Sequence, residues 1–296
     1  MNHTPLHSVA PATTITHRGC PLAYRLRGNP TGPRLLLIQG VGLHGEGWLP
    51  QINGDLGTQC HCLTFDNRGI GESQPLNTPI GGHRYGAPIT VEQLADDTRA
   101  VKDAAGWPSA HIVGHSLGGL VALHLALTAR PRVQSLTLAC TFANGRTATA
   151  LTPRMLWLGT RSRLGPRSWR RNAFLQIIFP PDELRQADRA KRAANLAPLF
   201  GHDLADMPSV VSHQLRALRH YDATPRLAEL AGIPTLVISA AHDPIARPAA
   251  AGRPLATSIL GARYVEFPNA SHGLPIQIPG EFNRLLLNHI SANASR

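Results

Sequence analysis

The sequence predicts an α/β fold: a mostly parallel sheet flanked by helices, interrupted by one inserted helical stretch. Three observations carry this reading. Short apolar runs of strand length alternate with amphipathic segments of helical period along most of the 296 residues. Most of the runs are largely apolar, as strands covered on both faces are. One stretch, 141–220, holds helical patterns and no convincing strand.

Taken in order, 13–17 and 22–27 alternate and are joined through Gly19, which reads as a hairpin at a sheet edge. Leu35 to Ile38, His61 to Phe65, Ala110 to Val113, Val133 to Cys140, Thr235 to Ser239 and Ala262 to Phe267 read as buried strands. Between them, Val91 to Ala105 has a helical apolar stripe with Thr90 as N-cap. Leu117 to Ala129 is apolar on nearly all sides, so it reads as a buried helix. Pro248 to Leu260 and Glu281 to Ile290 complete the helical series. The expected organisation is a core of 13–140 and 221–296, a helical cap at 141–220, and a flexible terminus over 1–12.

Composition narrows the function classes. A chain this long buries roughly three quarters of its unfolded surface, so it needs neither disulfides nor a structural metal to fold. With 43% apolar and 16% charged residues it is globular and not disordered. Cys20, Cys60, Cys62 and Cys140 are too scattered for a disulfide framework and read as buried thiols. No signal-peptide pattern and no membrane-length apolar run is present, so a cytoplasmic protein is expected. The net charge of +11 comes almost wholly from arginine, since Lys102 and Lys191 are the only lysines. Residues 141–220 hold 13 basic and 5 acidic side chains, so +8 of the +11 sits there. Arg161, Arg163, Arg167, Arg170 and Arg171 fall within that stretch, either as a solvated helical face or as an attractor for an anionic substrate or lipid headgroups. No nucleic-acid-binding motif accompanies the charge.

The chemistry is concentrated at Gly114-His-Ser116-Leu-Gly118-Gly119, a G-x-S-x-G sequence between a strand and a buried helix. A turn this sharp lifts the Ser116 hydroxyl above the sheet edge and leaves room only for glycine two positions before and two positions after it. The following helix aims its free N–H groups at the same point. A serine nucleophile needs a base, and the base an orienting acid. Asp243 follows the strand 235–239 and His272 follows 262–267, on the edge where ligands bind in open α/β sheets. His242 is a rival base; Asp222 and Asp66 are rival acids. Asp66 to Ser73, which contains Arg68, reads as loop architecture beside the site. The oxyanion hole is expected from the backbone N–H groups of Leu117 and Val41. His44 and Trp48 are candidates to line the acyl or alcohol pocket, with Trp48 equally suited to the core. Leu156, Trp157, Phe174, Ile177, Ile178, Phe179 and Leu199 read as an apolar roof over the site or as the core of the inserted stretch.

With the elbow Gly114–Gly119, the Asp66–Ser73 loop, Pro234 to Asp243 and Ser271-His272-Gly273 in place, the chain resembles an α/β-hydrolase with a helical cap over about 13–290. Within that superfamily it is most similar to the cofactor-free esterase, lactonase and C–C hydrolase branch. The resemblance implies a triad of Ser116, Asp243 and His272, an acyl-enzyme mechanism and no metal. Gln39-Gly40 stands where the family usually has His-Gly. Members acting on epoxides or haloalkanes carry aspartate at the elbow, and Ser116 argues against both. The expected function is hydrolysis of a small-molecule carboxylic ester, lactone or related acyl bond. C–C bond hydrolysis, perhydrolysis and acyl transfer would use the same three residues, and a non-catalytic binding protein is the reading from another class.

Overall fold

A computed structural model of the chain describes residues 11–74, 84–148 and 152–293. The expected flexible terminus lies largely outside them. The strands are β1 (Thr13–His17), β2 (Cys20–Gly28), β3 (Arg34–Ile38), β4 (His61–Phe65), β5 (Ala110–His115), β6 (Val133–Ala139), β7 (Thr235–Ala240) and β8 (Arg263–Phe267). They form one sheet in the order β1-β2-β4-β3-β5-β6-β7-β8. The β1–β2 and β2–β4 pairs are antiparallel and the other five are parallel. The hairpin thus sits at the edge, turned by Arg18 and Gly19 with positive φ at both, as a two-residue primed turn requires.

The longer helices are α1 (Val91–Ala104), α2 (Leu117–Thr128), α3 (Pro153–Arg161), α4 (Arg167–Ile178), α5 (Arg189–Phe200), α6 (Val210–His220), α7 (Gly252–Ser258) and α8 (Pro279–Ser291). Helix α7 is shorter than the 248–260 expected. Its N-cap is Ala251, which leaves Pro248 in the preceding turn.

The central strands β3 to β7 are buried on both faces, which explains why they do not alternate in polarity as the edge hairpin does. On β3, Leu36 and Ile38 belong to one core with Leu94 and Leu120 of α1 and α2. Leu35 and Leu37 belong to the other, with Trp48 and with Phe282 and Leu286 of α8. Helix α2, apolar all round, is buried along almost its whole length. Between β6 and β7 the described chain is helical, α3 to α6, with a separate small core that includes Leu175, Phe179, Leu196 and Phe200. No helix among the described residues is long and apolar enough to cross a membrane.

Candidate active site

Strand β5 ends at His115, and the chain turns at once into α2. Ser116 makes that turn with φ +54° and ψ −119°, a left-handed conformation that costs a non-glycine residue energy. The surroundings fix it there. Its N–H donates to Ala139 O (3.0 Å), and its carbonyl accepts the Thr141 hydroxyl (2.7 Å) and the Gly119 N–H (2.9 Å). Tight packing sets the flanking residues: a Cβ at Gly114 would lie 2.2 Å from Gly118 O, and one at Gly118 would lie 2.2 Å from Ile38 O.

Ser116, Asp243 and His272 come together although 29 to 156 residues separate them. The Ser116 hydroxyl lies 3.0 Å from His272 Nε2, and His272 Nδ1 lies 2.8 Å from Asp243 Oδ2. All three side chains are buried. Asp243 is held by its own loop: Oδ1 accepts the N–H groups of Ile245 and Ala246, each at 2.8 Å. This leaves Oδ2 for the imidazole, which then carries its proton on Nδ1 and presents an acceptor to Ser116.

Two more residues, which the sequence reading passed over, act on this line. Cys140, just after β6 with φ +47°, sets its buried thiol beside the Asp243 carboxylate. Burial, with the Asp243 carboxylate beside it, pushes that thiol well above its usual range, so it stays a donor. His115 Nε2 donates to the backbone carbonyl of His272 (2.9 Å), and the two rings lie 5.1 Å apart. Burial, then the neighbouring His272, lowers the His115 pKa to about 4, so it is a neutral prop at pH 7. His115 was adjacent to the serine and so open to notice. Cys140 carried no signal, because its partner lies on another strand's loop.

The loop after β3 packs directly on the serine: a Cβ at Gly40 would lie 3.1 Å from Ser116 Cβ. The Gly40 N–H is held by Gln39 Oε1 (3.3 Å) and the Gly42 N–H by Gln214 Oε1 of α6 (2.9 Å). Between them, the Val41 N–H has no protein acceptor among the described residues. Leu117, the first residue of α2, has its N–H among those a helix start leaves without an internal acceptor. Gln214 was not legible, being 172 residues from the loop it holds.

A cavity of about 270 Å³ opens at Ser116 and His272. Its walls are mostly apolar, with Val41 and Leu43 from the β3 loop, Phe174, Ile177 and Ile178 from α4, and Val211 and Leu215 from α6. Trp48 also lines it, fully buried between His115 and Phe282. His44 does not: its ring packs against Gly201, at the end of α5. Of the expected roof, Phe179 and Leu199 pack within the helical segment's own core, while Leu156 and Trp157 are exposed.

The rival residues lie elsewhere. His242 is exposed. Asp222 bonds Asn144 Nδ2 (2.7 Å) and the Thr224 N–H. Asp66 holds its loop by accepting the Gly45 and Glu72 N–H groups, at 2.8 and 2.9 Å. Arg68 pairs with Asp97 of α1 through two hydrogen bonds, at 2.8 and 2.5 Å.

The His272 loop is also tied to the inserted helices. The Gly273 N–H donates to Ile178 O at the end of α4 (3.0 Å), and the Ser271 hydroxyl lies 3.1 Å from both Ile177 O and His242 O.

Comparison with known proteins bears on this arrangement. A family model described as alpha/beta hydrolase fold matches residues 33–277. A protein of Variovorax paradoxus (strain S110) that bears the name carbamate hydrolase RutD is 30% identical over 275 residues, covering 92% of this chain and 96% of its own. Among solved structures, a hydrolase from Pseudomonas aeruginosa PA01 aligns with TM-score 0.75 at 30% identity, covering 94% of this chain and 98% of that one. The enol-lactonase from Burkholderia xenovorans LB400 aligns with TM-score 0.75 at 28% identity, covering 94% and 100%.

Proposed function

The chain belongs to the alpha/beta hydrolase fold family, and from that premise we propose that it is a serine hydrolase cleaving a carboxylic ester, lactone or related acyl bond. The observation that carries the reading is the unbroken line Ser116 Oγ, His272 and Asp243 Oδ2, with steps of 3.0 and 2.8 Å. In this mechanism His272 Nε2 takes the Ser116 proton as Oγ bonds to the substrate carbonyl carbon. Asp243 holds the Nδ1 proton and stabilises the imidazolium. The Val41 and Leu117 N–H groups receive the oxyanion. As the tetrahedral adduct collapses, His272 gives its proton to the leaving oxygen. It then takes a proton from water as the water oxygen attacks the acyl-serine, and returns that proton to Ser116 Oγ as the second adduct collapses and the acid leaves.

Residues 141–220 serve in this reading as a cap on the core of 13–140 and 221–296, shaping the acyl pocket. The relative named a carbamate hydrolase raises carbamates as a substrate class. The apolar walls favour a substrate with more hydrocarbon than a simple carbamate, and the likeness to an enol-lactonase points the same way. The test is labelling of the purified protein with a fluorophosphonate, with the adduct located by peptide mass spectrometry. An adduct on Ser116 that is lost in His272→Ala is expected. A folded protein that takes no label, and hydrolyses no ester or lactone in a panel, overturns the reading.

A further inference from the structure

The outer side of the inserted helices has a composition that a surface facing only water does not require. Along α3, Met155, Gly159 and Ser162 line the cavity, a spacing that puts them on one side of the helix. Leu156 and Trp157 point away, 58% and 51% exposed. Beyond the helix, Leu164 is 65% and Trp169 51% exposed. One cation joins the two indoles: the Arg161 guanidinium lies 4.1 Å from the Trp169 ring centre and 5.7 Å from that of Trp157. Met207, also exposed, lines the cavity, so the cavity wall reaches the surface on the helical segment that bears this patch.

The charge of this surface is one-sided. Residues 152–181 contain six arginines and no acidic residue. Arg167 and Arg171 are answered by Asp203 and Asp206 across the segment. Arg154, Arg161 and Arg163 have no carboxylate partner among the described residues, whereas Arg170 lies within electrostatic reach of Asp206.

We propose that this face docks the protein on an anionic phospholipid bilayer. Trp157, Trp169, Leu156 and Leu164 enter the interfacial layer, where an indole keeps its apolar body in hydrocarbon and its N–H among the headgroups. The unanswered arginines meet the phosphates, whose geometry a guanidinium matches. A second copy of the chain is the weaker occupant. A two-fold contact would set this arginine-rich strip against itself, and like charges face to face are repulsive. The bilayer supplies the negative charge that the strip itself lacks. The inference does not depend on the serine hydrolase reading.

The test is flotation of the full-length protein with vesicles of phosphatidylcholine alone, or containing about a third phosphatidylglycerol. Binding to the anionic vesicles, weaker binding to the neutral ones and release by high salt are expected. Arg154→Gln and Arg161→Gln should each lower the partition constant about fivefold. The double variant Trp157→Ser, Trp169→Ser should lower it by more than about tenfold, given the apolar area withdrawn. The arginine variants keep the test valid if the tryptophan pair impairs folding, which a thermal melt reports. Failure to float with either vesicle overturns the proposal, as does equal binding to both that the variants leave unchanged. A concentration-dependent dimer that the tryptophan changes abolish, without vesicle binding, would instead make the face an interface between copies. A protein that binds vesicles but takes no fluorophosphonate would retain this inference and lose the hydrolase reading.

Discussion

Replacing Asp243 with asparagine tests the proposed chemistry with almost no change of shape. The carboxylate accepts three hydrogen bonds, the Ile245 and Ala246 N–H groups at Oδ1 and the His272 Nδ1–H at Oδ2, and lies beside the Cys140 thiol. An amide has one accepting oxygen and one donating nitrogen. If the oxygen stays with the two backbone N–H groups, the nitrogen confronts His272 Nδ1. The imidazole must then shift its proton to Nε2, where it faces the Ser116 hydroxyl as a donor and cannot act as base. If the amide flips, two buried N–H groups lose their acceptor, at about 1–3 kcal/mol each. The tautomer shift is the cheaper outcome, so the fold should survive while the base is lost. The same substitution in the serine protease triad lowers turnover about 10⁴-fold, close to 5 kcal/mol of transition-state stabilisation. The assay is kcat/KM on a p-nitrophenyl ester, together with the rate of Ser116 labelling and a thermal melt. A variant that melts like the parent and keeps more than about a tenth of its activity would refute the argument, because Asp243 would not be setting the tautomer.

Three further outcomes are expected. Burial lowers the pKa of both His111 and His115 to about 4, against about 6.5 in the unfolded chain, so the unfolded state binds more protons between these values. Stability should therefore fall as pH drops from about 6.5 to 4, by roughly 2–3 kcal/mol per unit where both contribute, and urea midpoints that stay flat over that window would contradict it. All four cysteines are free and buried, with thiols raised to about 11 at Cys20 and Cys60 and about 12 at Cys62, so none should react with a disulfide reagent at pH 8 until denaturant is added. Gln214→Leu removes the acceptor for the Gly42 N–H; it should cost about 1–3 kcal/mol of stability and lower kcat more than it raises KM, whereas an unaltered kcat would show that Gln214 does not hold the oxyanion loop.

The parallel strands were legible because their apolar runs are short, continuous and bounded by turn residues. His61 to Phe65 was read with the bounds it has, and Ala110 to Val113 fell short only by Gly114 and His115, whose types suggest a turn. The serine, acid and histidine were legible because each follows a strand, and strand ends share one edge of a parallel sheet. What escaped was contact between distant segments. Nothing local marks Cys140 as a partner of Asp243, or Gln214 as the clamp on the β3 loop. The bulky apolar residues of α3 and α4 share a composition, so their sorting into cavity wall and outer face followed only from which side of each helix meets the cavity. His44 was drawn toward the pocket by its neighbours, but Gly201, which has no side chain, leaves it a slot against α5.

The stitching of the His272 loop to the end of α4 has a mechanical consequence. Because the Gly273 N–H and the Ser271 hydroxyl are bonded to Ile178 and Ile177, the α4 wall of the cavity and the loop that carries the proposed base are joined as one hinge plate. Lifting α4 would drag the imidazole away from Ser116, so a door that opens there would disarm itself. Helix α3, which lines the same cavity, makes no hydrogen bond to the His272 loop among the described residues and is free of this constraint. Under the proposed function, a substrate pressing on Ile177 and Ile178 would bear on the same strip of backbone that positions the imidazole, so the length of its hydrocarbon tail would bear on how the histidine is aligned.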